Sequence, residues 1–235
     1  VAGDLLPKLT LSTKVGYFPG SDRAEHSLDP ARLHVAVEQA VKDLGREPDL
    51  VFLHNPEHSL EGAAPRSRYV LAQACAALDI ATSKGLCGGW GVASWDPSPL
   101  VDLVDVALPQ PSVLMVRAGL LVGTKTLDAA DAVATAWGLG SDSAWGMSPF
   151  GGSTRAPVWD RINPGVFLRG GDGLSHVQAA FRTAYCLPRV STMAVGTDEP
   201  AHLGELMGAL ASQVDEQAVR EYRDLIRTRS RGQPA

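Results

Sequence analysis

Leu11-Ser12-Thr13-Lys14-Val15-Gly16 and, further along, Leu50-Val51-Phe52-Leu53-His54-Asn55-Pro56 decide how this chain folds. Each is an apolar, strand-like run that ends on an ionisable side chain, Lys14 in the first and His54 in the second. The second run is short, continuously apolar and flanked by Pro48 and Pro56, which suits a buried strand of a parallel sheet. Between the runs, Asp29-Pro30 reads as an N-cap followed by proline at the first helical position. Leu33, Val37, Ala40, Val41 and Leu44 then recur at helical spacing, and Gly45 closes the helix. A strand over Leu9–Val15, a loop from Phe18 to Leu28, this helix and the second strand make one strand–helix–strand unit.

The alternation continues outward. A helix from about Pro65 to Lys84 precedes a strand over Gly89–Trp95, and a short helix near Leu100 leads to a strand over Ser112–Val116. A helix across Ala129–Trp137 and a strand over Ala144–Pro149 follow, then a long loop from Gly152 to Gly170. Beyond it the pattern predicts a helix through Val177–Tyr185, a strand over Val190–Val195, and helices near Ala201–Leu210 and Glu216–Thr228. Six strands, each followed by a helix, imply a parallel sheet, either open or closed into a barrel. No Gly-x-Gly-x-x-Gly turn follows the first strand, which argues against an open dinucleotide-binding sheet. The expected fold is α/β, a (β/α)8 TIM-type barrel lacking its first two strands, as one domain over residues 1–235. Such barrels gather catalytic groups at the carboxyl ends of their strands, so Lys14 and His54 are expected at one mouth.

Composition narrows the function. The 235 residues are 45% apolar, ample for one large core, and the formal charge is −5. Acids and bases are spread along the chain, with no basic stripe for nucleic acid and no polybasic membrane patch, so small-molecule partners are expected. Cys75, Cys87 and Cys186 are odd in number and lack CxxC spacing, consistent with reduced thiols in a cytoplasmic protein and no metal site. No apolar run approaches the length of a bilayer span, and no charged-then-apolar leader precedes Leu5. The chain starts at Val1 and enters its first strand almost at once, which suggests a further segment upstream.

A lysine at a strand end is either a solvated side chain or one placed to activate a tyrosine or form a Schiff base. His54 is either a satisfied structural histidine or a group that orients a carbonyl. Ser148-Pro149-Phe150-Gly151-Gly152 and Val195-Gly196-Thr197-Asp198 end the last two strands, where barrels commonly bind phosphate. Asp198 would also serve as a plain N-cap, and Gly151-Gly152 as a plain turn. Trp90, Trp95, Trp137 and Trp145 read as packing residues, whereas Trp159 and Phe167 are candidates to line a ligand. The Arg-rich tail, Arg220 to Arg231, reads as a solvated helix face, and Leu203-Met207-Leu210 as core. Tyr17 is a candidate substitute acid, with a loop tyrosine of no catalytic role as the plainer reading.

The runs Ser12-Thr13-Lys14-Val15-Gly16, Asp49 to Pro56, Gly91-Val92-Ala93-Ser94-Trp95, Met147-Ser148-Pro149-Phe150-Gly151 and Gly196-Thr197 with His202-Leu203 together resemble the aldo-keto reductase superfamily. The resemblance covers nearly the whole chain, from barrel strand three onward. It implies an oxidoreductase that binds NADP(H) across the barrel mouth and reduces a ketone or aldehyde. By resemblance, Lys14 is the catalytic lysine and His54 the histidine that orients the substrate carbonyl. The family's aspartate and tyrosine belong to a region before Val1. The implied cofactor-binding residues are Ser94, Ser148, Phe150, Gly152, Gly196, Thr197, His202 and Glu205.

The chain also departs from the family. Ala93 and Ser94 stand where serine and asparagine hold the carboxamide, Met115 where glutamine is common, and Met147 at the stacking aromatic. His202, beside Asp198 and Glu199, stands where an arginine commonly holds the 2′-phosphate, and Leu206 replaces an asparagine. Carbonyl reduction is therefore the first expectation. The alternatives are a nicotinamide-independent lyase, dehydratase or cyclase on the same scaffold, and a non-catalytic regulatory subunit.

Overall fold

The computed structural model describes residues 6–170 and 173–231. They form two compact units, one of the described residues up to 115 with 133–139 and the other of 116–132 with those from 140 onward.

In the first unit, β1 (Ser12–Val15), β4 (Leu50–His54) and β5 (Trp90–Ser94) are hydrogen-bonded in that order, all parallel. Ser112 N donates to Trp90 O at 2.9 Å, bringing in the start of β6 (Val113–Arg117). Leu50 to Leu53 are all buried, as the unbroken apolar run requires. The strand expected over Leu9–Val15 is shorter, Ser12–Val15, and a 3-10 turn over Leu6–Lys8 precedes it. Helix α1 (Pro30–Leu44) starts and stops where its caps dictate. The Asp29 carboxylate accepts from Arg32 N, and Gly45 takes the left-handed conformation at φ 70°. Leu33 and Val37 are fully buried, and α1 packs on α2 (Ala64–Ser83), which turns Leu71, Ala74, Cys75 and Leu78 inward.

The segment expected as a loop from Phe18 to Leu28 is instead a small antiparallel hairpin, β2 (Tyr17–Phe18) against β3 (Glu25–His26). It is closed from outside by Arg32, whose guanidinium lies 4.2 Å from the Phe18 ring centroid and bonds Glu25 Oε1 at 2.8 Å.

In the second unit, β7 (Ala144–Met147) runs parallel to β8 (Thr192–Ala194), and Ala118 N donates to Met147 O at 3.0 Å. The helix expected over Ala129–Trp137 begins earlier, as α3 (Thr124–Ala136). Helix α4 (His176–Ala184) opens on a reciprocal capping box between Ser175 and Gln178 and packs against α5 (Pro200–Ala209).

Several side chains overturn their expectations. Trp159 and Phe167 do not line a ligand site; each is 7% exposed, in a cluster with Leu120, Leu127 and Leu187. Two 3-10 turns, Pro157–Asp160 and Pro164–Phe167, fold the long loop back and drive these rings inward. Leu203, Met207 and Leu210 are exposed rather than core, since α5 turns Leu206 and Ala209 inward. Trp95 is exposed, unlike Trp90 and Trp137. The tail is not merely solvated. In α6 (Glu216–Arg231), Arg223 bonds Asp128 at 2.7 Å and Asp131 at 2.6 Å, and Arg227 bonds Asp128 at 2.7 Å. Tyr222 donates to Leu120 O at 2.5 Å.

No described helix is long and apolar enough to cross a membrane.

Candidate active site

The ladder aligns Lys14 with Phe52, Phe52 with Gly91, and His54 with Ala93. Register partners in a parallel sheet share a face, and residues two apart on one strand do too. Lys14, Phe52, His54, Gly91 and Ala93 therefore lie on one face, with Lys14, His54 and Ala93 toward the carboxyl ends of β1, β4 and β5. Gly91 is needed there: a Cβ would stand 2.7 Å from Val113 O and 2.8 Å from Phe52 Cε1.

Beyond β1 the chain turns at Gly16, whose φ of 126° admits no ordinary side chain. That turn delivers Tyr17 against His54, with ring centroids 4.9 Å apart and the planes at 67°. Beyond β4, Asn55 takes the left-handed conformation and opens the 3-10 turn Pro56–Ser59. The turn presents His58, whose Nδ1 meets the Tyr17 hydroxyl at 2.5 Å. It also presents Ser59, whose hydroxyl lies 2.6 Å from Nδ1 of His26. Nε2 of His26 donates to the carbonyl of His54 at 2.7 Å. Glu57 Oε1 accepts from the amides of Trp95 at 2.7 Å and Asp96 at 2.9 Å, tying this turn to the end of β5.

Electrostatics favour neutral rings. Burial, then the charge of Lys14, then the neighbouring His26 and His58 lower the His54 pKa from 6.5 to about 4. Burial is also the main cause that lowers His26. A neutral His54 can donate from one ring nitrogen and accept at the other.

Ser94 is fully buried at the end of β5, and its Oγ has no hydrogen-bond partner among the described residues. A buried orphan hydroxyl suits a ligand amide. In the second unit, the Ser148–Gly152 turn leaves the end of β7 with Ser148, Gly151 and Gly152 at φ 55°, 64° and 106°. A tight turn of this kind can turn its backbone N–H groups to one side, the arrangement that makes an anion-binding concavity. Phe150 is half-buried beside Phe181, with ring centroids 6.4 Å apart.

From the same end of neighbouring β8 come Gly196, open to solvent, and Thr197. The Thr197 hydroxyl accepts from Glu199 N at 3.1 Å and lies 3.5 Å from His202 Nδ1. Asp198 is not the N-cap of α5; Glu199 holds that position ahead of Pro200. Glu205 is exposed, and its backbone carbonyl accepts from Gln178 Nε2 at 3.2 Å.

Within the first unit the structure therefore puts Lys14 and His54 on one face, while the buried Ser94, one residue beyond Ala93, belongs to the other face at the end of β5. Within the second it groups Ser148, Phe150 and Gly152 on one turn, and Gly196, Thr197, His202 and Glu205 on the next. Sequence reasoning missed His26 and His58 and assigned Tyr17 to a loop. The available signal was Pro19-Gly20, a turn dipeptide set between Tyr17-Phe18 and Glu25-His26. Among the described residues, no group of three or more His, Cys, Asp or Glu side chains could hold a metal ion.

Comparison with known proteins bears on the fold and the family. An aldo-keto reductase from Bacillus halodurans in its holo form superposes with a TM-score of 0.68 at 17% identity, covering 94% of this chain and 73% of that one. A glycerol dehydrogenase from Gluconobacter oxydans gives 0.65 at 15% identity, covering 95% and 73%. An aldo/keto reductase from Brucella melitensis gives 0.60 at 15% identity, covering 94% and 73%. These likenesses establish the shared fold. No curated protein matches by sequence. The sequence profile of the aldo/keto reductase family matches residues 5–133, more than half of the chain. With that match and the fold in agreement, the chain belongs to the aldo/keto reductase family of oxidoreductases.

Proposed function

We propose that this protein reduces the carbonyl group of a small-molecule ketone or aldehyde, using NADP(H). The observation that carries the reading is the placement of Lys14 and a neutral His54 on one sheet face at the same strand ends. The His54 imidazole donates a hydrogen bond to the substrate carbonyl and orients it. The Lys14 ammonium stabilises the negative charge that grows on that oxygen.

The reduced dinucleotide, when bound, supplies the hydride. Ser94, with its unpartnered hydroxyl, is the residue to hold the carboxamide, and the Ser148–Gly152 turn with Phe150 the residues to hold the diphosphate. Gly196, Thr197, His202 and Glu205 are the residues for the adenosine end. A cytoplasmic location suits the three unpaired thiols.

NADPH fluorescence titration tests this reading. Saturable binding in the micromolar range is expected, together with loss of turnover in Lys14→Met and His54→Gln. No fluorescence change at saturating NADPH would overturn it.

One observation favours a second reading, a nicotinamide-independent lyase, dehydratase or cyclase. Ala93 shares a face with His54 and presents a methyl group where the resemblance implies a serine hydroxyl. Turnover of a carbonyl substrate in the absence of any nucleotide would decide for it.

A further inference from the structure

Basic residues scattered along the sequence are gathered by the fold of the second unit. Arg169 follows the 3-10 turn Pro164–Phe167, Arg182 stands in the last turn of α4, Arg189 precedes β8, and Arg220 lies on α6. All four line one cavity of about 560 Å³, where Glu216 supplies the one carboxylate among the described residues. Four guanidinium groups thus face a single acid in a chain whose formal charge is −5.

Backbone hydrogen bonds fix the wall. Arg169 N donates to Gln213 O at 2.9 Å, beside the bridge between Leu168 and Val214. Val190 N donates to Tyr185 O at 2.9 Å, closing the turn that carries Cys186 and Arg189.

Little inside the cavity neutralises the four charges. Arg189 bonds Glu216 at 2.9 Å, and Arg220 stands 3.8 Å from the same carboxylate. The hydrogen bond from Arg189, with the charges of Arg220 and Arg169 behind it, holds the Glu216 carboxyl below the usual carboxylate range. Neighbouring Asp215 is engaged elsewhere, its Oδ1 accepting from Gln217 N and Ala218 N at the start of α6. Arg182 donates from Nε to Ser212 O at 2.8 Å. Its terminal nitrogens and the side chain of Arg169 make no hydrogen bond among the described residues. Like charges gathered in this way repel one another, so an anion gains from every one of them.

The arrangement also selects the kind of anion. A planar carboxylate takes one bidentate fork, whereas a tetrahedral phosphoryl group accepts from several directions at once, as guanidinium groups on four separate elements require. The volume is that of a small-molecule site rather than of a bare ion. The amides of Gln213 and Gln217 and the phenol of Tyr185 suit ligand hydroxyls.

We propose that this cavity binds a hydroxyl-bearing phosphate monoester of sugar-phosphate size, its phosphoryl oxygens accepting from Arg169, Arg182, Arg189 and Arg220. Arg189 and Val190 lead into the amino end of β8, whereas Gly196 and Thr197 leave its carboxyl end, so the site is separate from the adenosine residues named above.

α-D-Glucose 1-phosphate is the probe, because it has no free carbonyl and cannot serve a carbonyl reductase as substrate. Calorimetric titration of the wild type is expected to show one saturable site, with a dissociation constant of about 0.1–1 mM that weakens in added salt. Glucose is expected not to bind, and inorganic phosphate and citrate to bind less tightly than the ester. Arg169→Gln and Arg220→Gln alter exposed side chains and are expected to keep the wild-type unfolding midpoint. Each is expected to lose roughly tenfold or more in affinity, the worth of a hydrogen bond to a charged group.

Cys186 is half-buried on the cavity wall while Cys75 and Cys87 are buried, so its alkylation by iodoacetamide reports on the site. Glucose 1-phosphate is expected to slow that alkylation, read by peptide mass spectrometry, and glucose to leave it unchanged. No saturable binding, undiminished affinity in both variants, unslowed alkylation of Cys186, or binding of inorganic phosphate or citrate as tight as that of the ester would each overturn the proposal. NADPH titration tests the carbonyl-reductase reading separately, and none of these outcomes bears on it.

Discussion

The ring of His26 donates from Nε2 to the backbone carbonyl of His54 at 2.7 Å. A carbonyl only accepts, so Nε2 carries the proton and Nδ1 is left to accept from the Ser59 hydroxyl. One neutral imidazole thereby joins the hairpin to the end of β4 and to the turn that follows it. It holds the backbone of His54 while leaving the His54 ring available to a substrate.

Acid should loosen the site before it unfolds the rest of the chain. The folded pKa of His54 lies near 4, below its ordinary 6.5, so the unfolded chain binds the proton more readily. The stabilising contribution of this neutral ring is complete above about pH 6.5 and is lost as pH falls toward 4. Lowered His26 acts in the same sense. Urea midpoints measured across this range should fall with pH, and His54→Gln should flatten the slope. An unchanged slope in that variant would count against the assignment.

Removing the charge of Lys14 should release part of this depression. Burial is the larger cause of the shift and Lys14 the next, so Lys14→Met should raise the His54 pKa while leaving it below 6.5. A nuclear magnetic resonance titration of the imidazole protons reads this directly. No movement would show that the ammonium group does not face the ring.

Gly91→Ala should cost about 1–3 kcal/mol, the range for overpacking a filled core. The added methyl would meet Val113 O at 2.7 Å and Phe52 Cε1 at 2.8 Å. The backbone oxygen cannot move aside as a side chain can. Chemical denaturation checks the value, and a neutral result would mean that the Phe52 ring is not packed across this strand.

Arg223→Ala should destabilise the second unit by about 1–2 kcal/mol, between the values of exposed and buried ion pairs. Arg223 neutralises both Asp128 and Asp131, and Asp128 keeps only Arg227 when it is gone. The loss should shrink in high salt. An identical loss at low and high ionic strength would assign the effect to packing of the side-chain stem.

The locally encoded features were legible in the chain from the start. Asp29-Pro30 and Gly45 bound α1, and the apolar run Leu50–Leu53 marks a strand buried on both faces. Alternating strands and helices set the class of fold, and they put Lys14 and His54 at strand ends. Each of these depends on neighbours within a few residues, where caps, periodicity and proline act.

Tertiary structure alone decided what met what. Tyr17 reaches His58 across 41 positions because Gly16 and Asn55 each adopt positive φ, and no periodicity announces such turns. Trp159 and Phe167 became core rather than ligand-lining because two short turns folded a Gly- and Pro-rich loop onto Leu120 and Leu127. Arg223 left the solvent because α6 packs beside the carboxylates of α3. In every case the deciding interaction joins residues far apart in the chain. Its geometry follows from register and backbone turns rather than from local composition.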